Sequence, residues 1–504
     1  MRASAGRDPA ADARAVQANG TPTSRWEALR QQVQVQGQAI RRVGWGVADQ
    51  GMSSLTNFVV VIAVARTLGA EQLGAFSLAY VTYGFALNAS RGLATDPLMV
   101  RFGGGEVPAW RRAVASSSGT AAVVGLTIGA AMLAVAAFLP SGLGGPFAGL
   151  GLTLPGLLIQ DSWRYAFFAL GRGGHAFLND LLWGVLLVPA LVVARVTGHA
   201  SAFSFMLVWG LIACVAAAIG MVQTRIIPRP LQVGHWLSQH RDLAYRYAAE
   251  GVSSTIAGQL RTYGVGLILG LAAVGYLQAA NTLMGPYSII LLGTTAVVVP
   301  EVGRILRRSP DHLLRACLLV AAALAAIGMV MGGLLLVLLF GGLGQLLLGD
   351  IWGPTSPLVA IVLVGMLGGS LQAGAVAGLH ALGAARESLR AMLLVSAVYL
   401  GCALAGAAAW GTVGAAWGQA AAMWLGSLVS WWHLELAWNA THGTSGERRR
   451  RSLPRHARRG VPRRPAKAGR QTNAASREGP PGSRTWDDPL PTPLLRTEPR
   501  PKGG

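Results

Sequence analysis

About twelve runs of roughly twenty predominantly apolar residues succeed one another along the chain. They cover 43–66, 73–95, 116–139, 147–170, 176–195, 203–222, 246–269, 274–298, 316–340, 355–380, 391–410 and 414–436. A helix rising 1.5 Å per residue needs about that length to cross a hydrocarbon core roughly 30 Å thick. Inside lipid every backbone polar group must be satisfied within the protein, which leaves helices or closed barrels. These runs are too long and too little alternating for tilted strands. Charged residues make up 12% of the chain and hydrophobic ones 52%, whereas soluble domains carry about 25% charge. The pattern predicts an all-α polytopic membrane protein and excludes a string of soluble domains.

The formal charge of +21 is unevenly placed, with 16 of the 42 basic residues in the last 68 positions. That distribution points away from nucleic acid. With the N-terminus inside, the inner connections hold Arg101, Arg111, Arg112, Arg172, Arg225, Arg229, Arg241, Arg304, Arg307, Arg308 and Arg386, and the outer ones only Arg66 and Arg195. The asymmetry predicts that both termini are cytoplasmic. Forty arginines against two lysines, with abundant Ala and Gly, is the usage of a high-GC bacterial genome, so the expected location is a bacterial cytoplasmic membrane. Residues 1–42 are polar, with no cleavable secretory signal, and read as a disordered N-terminus. Residues 437–504 carry a net charge of +11 and bury too little apolar surface to offset ordering entropy. They read as a disordered cytoplasmic tail attracted to anionic lipid or, as an alternative, as a docking site for a cytoplasmic partner. Cys214, Cys317 and Cys402 lie in apolar runs, which speaks against a disulfide framework.

The two halves resemble each other. Gln50-Gly51-Met52-Ser53-Ser54 matches Glu250-Gly251-Val252-Ser253-Ser254, Leu68-Gly69 matches Leu269-Gly270, and Ala169-Leu170-Gly171 matches Ala381-Leu382-Gly383, in the same order and at equivalent points of the topology. Leu73-Gly74-Ala75-Phe76 loosely matches Val274-Gly275-Tyr276-Leu277. The expected architecture is a six-span N-lobe over 43–222, an interfacial linker over 223–245 with Trp236 and Tyr245, and a six-span C-lobe over 246–436. Six is even, so the lobes share one orientation and leave a cleft between them, the alternating-access layout of secondary transporters.

A charged side chain within a span costs about 2.5–3.5 kcal/mol on insertion scales and marks a cavity or a partner. Glu250, Ser254, Gly258 and Arg261 form one stripe of the seventh span, and Asp49, Gln50, Ser53, Ser54 and Asn57 the corresponding stripe of the first. The two helices are expected to face one another across the cleft. Asp49 and Glu250 are candidates for ion coupling, or are merely solvated at the inner end. Arg261 lies past the midplane, where snorkelling is hard, and is either a ligand contact or a structural arginine. Asp161 and Arg164 share a helix face, and Asp180 could reach Arg164 or Arg172, which reads as a structural polar clamp. Arg91, Asp96 and Arg101 read as a structural ion cluster. Gly125/Gly129, Gly328/Gly332 and Gly414/Gly418 have the small-xxx-small spacing of close helix packing. The only lysines are Lys467 and Lys502, so there is no Walker-type phosphate loop, and no HExxH or Cys/His cluster suggests a metal. Neither an enzymatic activity nor a cofactor is expected.

Trp45-Gly46-Val47-Ala48-Asp49-Gln50, Ala65-Arg66-Thr67-Leu68-Gly69 and Leu73-Gly74-Ala75-Phe76 resemble the polysaccharide-exporter (Wzx-like) branch of the MOP transporter superfamily, which also contains MATE drug exporters and lipid II flippases. The likeness extends through the Asp161/Arg164 and Asp180/Trp183 region and, more weakly, the second half. It implies a two-lobed twelve-helix fold that turns a polyprenyl-diphosphate-linked oligosaccharide between leaflets, beside glycan polymerase or glycosyltransferase partners. On that reading Arg261 meets the diphosphate or an acidic sugar, with Asn57, Gln259 and Tyr263 as sugar contacts. A MATE-like organic-cation exporter would need acidic groups in the cavity instead. A membrane-embedded glycan-assembly enzyme would need a substantial external loop, and a non-transporting scaffold would act through the tail.

Overall fold

The computed structural model describes residues 25–103, 107–287, 302, 306 and 312–451, without the side chains of 25–40, 42, 43, 107, 254 and 441–451. The expectations for residues 1–24, the second half of the eighth span, Arg304, Arg307, Arg308, the Ser254 side chain and the tail beyond 451 lie outside the described residues. The chain divides into two units, Met1–Gly446 and Glu447–Gly504, and the fold below is that of the first.

Among the described residues regular structure is helical throughout. The main elements are α1 (Arg25–Ser90), α2 (Asp96–Phe102), α3 (Val107–Ala136), α4 (Ser141–Ala169), α5 (Gly173–Val196), α6 (Ala202–Thr224), α7 (Val233–Leu269), α8 (Leu271–Leu283), α9 (Leu313–Leu338), α10 (Gly344–Leu348), α11 (Trp352–Ala381) and α12 (Ala385–Arg451). Seven helices among the described residues are long and apolar enough to cross a membrane, and the three longest of these contain backbone breaks. The first two expected spans are the two parts of α1 and the last two the parts of α12. The seventh lies in α7, and the eighth begins as α8. The large side chains that stay exposed on the outside of the bundle, such as Leu267, Leu319, Val330 and Leu428, are those a lipid environment accepts.

Glycine places the breaks. Gly69 (φ 80°, ψ −177°) ends the first span within α1, and Gly270 (φ 85°, ψ 174°) separates α7 from α8. This backbone region is open essentially to Gly alone. The loops expected around these points are therefore absent, and each helix pair folds back through one residue. Gly171 and Gly383, with φ of 69° and 64°, close α4 and α11 in one geometry. Arg172 N–H donates to Phe167 O and Gly171 N–H to Phe168 O, just as Ala384 N–H donates to Leu379 O and Gly383 N–H to His380 O. Both are Schellman caps. The triplets matched in the sequence are thus matched in backbone conformation.

The lobes cross at the end of the molecule that carries Gly69. A methyl group on Gly74 would collide with the Leu271 carbonyl, and one on Gly275 with the Ala70 carbonyl. The second and eighth spans meet there through equivalent glycines, each against the other's backbone. Arg66 adds a hydrogen bond from its guanidinium to Leu346 O, in the segment around α10. Elsewhere Gly129 and Gly151 bring α3 and α4 together, backbone to backbone.

Candidate functional site

Polar groups gather at two places. The first lies within the N-lobe, where five ionisable side chains from four helical segments meet. Ser90 ends α1, and a π turn over Arg91–Thr95 follows. Arg91 donates from Nε and Nη2 to Asp161 of α4 at 2.9 and 2.7 Å, and its guanidinium lies 5.2 Å from the Tyr165 ring centre. Arg164, one turn beyond Asp161, pairs with Asp49 at 2.5 Å, with Asp180 of α5 at 3.2 Å and with Asp161 at 3.5 Å. Gln160 donates to Asp180 Oδ1 at 2.7 Å and to Asn179 at 3.2 Å, and Asn179 donates to Ala216 O at 2.8 Å. The three aspartate side chains are at most 4% exposed and Arg164 is 11% exposed. Burying such groups is tolerated only with this degree of pairing. Three carboxylates face two guanidiniums, and Asp49 Oδ1 and Asp180 Oδ2 have no hydrogen-bond partner.

The structure redraws several sequence expectations here. Asp49 does not share the polar face of Gln50 and Asn57. Neighbouring helical residues are turned about 100° apart, and Asp49 points into the N-lobe. Asp180 meets Arg164 rather than Arg172. Arg91, Asp96 and Arg101 are not hydrogen-bonded to one another: Arg91 donates to Asp161, while Arg101 donates from Nη2 to both carboxylate oxygens of Asp242 at 2.7 Å and from Nη1 to Gln239 O.

The second place is a set of chambers between and within the lobes. One, of about 540 Å³, is lined by Gln50, Ser54 and Asn57 of the first span, Tyr80 of the second, and Gln278, Asn281 and Thr282 of α8. Another, of about 450 Å³, takes Gln259, Arg261 and Thr262 from α7, with Gln278, Gln372, Tyr399 and Met423. A third, of about 890 Å³, runs along Glu250, Ser253, Gln372, Ser388, Ser396 and Ser430. The first two share Gln278, and the last two share Gln372, Val395 and Ser396. The first and seventh spans thus line different chambers, with Gln278 of α8 reaching both. The seventh packs on the second, with Tyr263 hydrogen-bonded to Thr82.

Arg261 donates through Nη1 to Gln419 Oε1 and lies 5.3 Å from the Tyr399 ring centre. Its Nε is buried without a partner, as is Gln259 Nε2. Gln419 in turn donates to Asn281 at 3.4 Å, so a polar chain runs from the Arg261 chamber to the one lined by Gln50 and Asn57. Glu250 is exposed, near the middle of α7. Asn57 and Gln259 line chambers, whereas Tyr263, engaged with Thr82, is not among the lining residues. Sequence reading missed Gln278, Asn281, Gln372, Tyr399 and Gln419. The four amides were visible as lone polar residues within apolar runs.

No family model matches the chain, and no curated protein matches it in sequence. Solved structures do. An inward-facing multidrug-resistance MATE transporter of the MOP superfamily superposes with a TM-score of 0.59 at 16% identity, over 78% of this chain and 96% of that one. The lipid II flippase MurJ, in an inward closed conformation, gives 0.53 at 15%, over 78% and 87%. A MOP superfamily transporter from Pyrococcus furiosus, described as having a binding pocket of reversed polarity, gives 0.53 at 15%, over 80% and 96%. The fold is that of the MATE and MOP transporters, all-α and polytopic. The proteins that share it here are transporters and a flippase rather than enzymes.

Proposed function

We propose that the chain is a secondary transporter that turns polyprenyl-diphosphate-linked oligosaccharide from the inner to the outer leaflet of a bacterial cytoplasmic membrane by alternating access, for cell-surface polysaccharide biosynthesis. The observation that carries this reading is Arg261, a half-buried guanidinium lining a chamber with its Nε buried and unbonded. Such a group suits a diphosphate or an acidic sugar and repels organic cations. Asn57 and Gln259 serve as polar contacts for the headgroup, and the lipid chain stays in the bilayer. Glu250 sits at the inner mouth, and the crossing of Gly74 and Gly275 closes the outer side.

Coupling is assigned to Asp49, with Glu250 as a second acidic group. With all five N-lobe groups ionised, the cluster holds one uncompensated negative charge, and a buried excess charge is costly. One proton, or one monovalent cation, removes it and loosens Arg164 from the first span. Glycan polymerase or glycosyltransferases are the expected neighbours, and the basic tail the contact with anionic lipid. In cells, Arg261→Ala is expected to lower glycan export about tenfold or more, the loss of one charged contact of about 1.5–3 kcal/mol. Normal export by that variant would overturn the anion-binding role.

A further inference from the structure

The matched caps at Gly171 and Gly383 fix a register between the halves, because α5 begins at Gly173 and α12 at Ala385, each two residues after its glycine. Carried along the flanking helices, that register sets Gln372 opposite Gln160, Val376 opposite Arg164, Met392 opposite Asp180 and Val395 opposite Trp183. In the N-lobe these positions are filled by the ion cluster and a buried indole. In the C-lobe Gln372, Val376, Met392 and Val395 all line the chamber of about 890 Å³. The duplicated site has kept one amide, lost its arginine and aspartates, and become open space.

We infer that this C-lobe trench is the site of the glycan, which enters from the Glu250 end and extends toward Arg261; the inference rests on the transporter reading above. The trench and the Arg261 chamber, which also borders Val81 and Gly84 of the second span, are continuous through Gln372, Val395 and Ser396. Glu250 and Arg261 stand eleven residues apart on α7, about 16 Å of helix, which is the reach of a short oligosaccharide. Between those ends the polar lining is neutral apart from His380: Ser253, Ser388, Ser396, Ser430 and the Gln372 amide. Hydroxyls and amides with an aromatic ring at one end, here Tyr399, match sugar hydroxyls and sugar faces, whereas an ion-driven site needs fixed charge. Gln372 is the reading residue, its Nε2 held by Ser430 Oγ at 3.2 Å. Glu250 does not bar an anionic sugar from Arg261, since about 16 Å is twice the roughly 8 Å screening length of physiological salt. The two lobes thus divide the work, with coupling charge in the first and cargo in the second.

The test is cysteine protection. In the full-length chain with Cys214, Cys317 and Cys402 replaced by alanine, Ser388→Cys, which lines the trench but not the Arg261 chamber, reports the trench, and Ser54→Cys the chamber of Gln50 and Asn57. Each is labelled by a membrane-impermeant thiol reagent with polyprenyl diphosphate bearing a neutral trisaccharide, or with the same carrier without sugar. The glycan-bearing lipid is expected to slow labelling at position 388 about tenfold, the sugarless carrier not to, and Gln372→Leu to abolish the difference. Equal protection of position 388 by both lipids, or protection of position 54 alone, would overturn the assignment while leaving the transporter reading intact. Absence of protein-dependent translocation of either lipid would overturn both.

Discussion

At the scale of single residues, Arg164 holds the N-lobe together. Its guanidinium touches Asp49, Asp161 and Asp180, which come from three separate spans. Arg164→Met would leave those carboxylates with only Arg91 and is expected to destabilise the protein by about 3–5 kcal/mol, seen as a lower melting temperature of the purified protein in detergent. Asp49→Asn removes the uncompensated charge instead. It is expected to leave the melting temperature near wild type but to abolish the response of transport to an imposed proton or sodium gradient, and an unchanged response would exclude Asp49 from coupling. Part of this was legible in the sequence. Asp161, Arg164 and Asp180 stood out as charges in apolar runs at spacings that meet. Asp49 was misplaced because residues 49 and 50 look alike in sequence yet point to different sides of one helix. Arg91 was read as part of an ion cluster, but its partner Asp161 was hidden because a π turn, which nothing in Arg91–Thr95 announces, sets the direction of the arginine.

At the scale of helical elements, the repeat was readable because glycine has no substitute at φ near 80°. Leu68-Gly69 and Leu269-Gly270 therefore survive as a matched pair of breaks. The number of residues spent on each turn was not readable, since a single glycine does what the hydropathy pattern assigned to a loop. The crossing of Gly74 on Leu271 and Gly275 on Ala70 carries its own prediction. Gly74→Val or Gly275→Val is expected to hold that end open, so that Gln278→Cys reacts faster with an impermeant thiol reagent applied from the outer side. Unchanged reactivity would show that the crossing is not the gate. The lone amides in α8, α11 and α12 escaped notice for a different reason: single polar residues in a span are as often satisfied by a neighbouring helix as exposed to a chamber, and only packing distinguishes the two.

At the scale of the whole molecule, the two halves share among the described residues the caps at Gly171 and Gly383 and the breaks at Gly69 and Gly270, and differ in what surrounds them. The N-lobe contains paired charge, whereas the C-lobe contains a polar chamber leading to Arg261. Periodicity and repeat conveyed the common frame, because lipid leaves a chain few ways to satisfy its backbone. They did not convey the difference, which depends on side-chain volume at equivalent buried positions. The most direct measurement is translocation in proteoliposomes containing the purified full-length chain, with a fluorescent polyprenyl-diphosphate-linked oligosaccharide loaded in one leaflet. Protein-dependent appearance of the glycan in the opposite leaflet, reduced about tenfold or more by Arg261→Ala, is the expected result. Transport of organic cations with no movement of the glycan lipid would contradict the account.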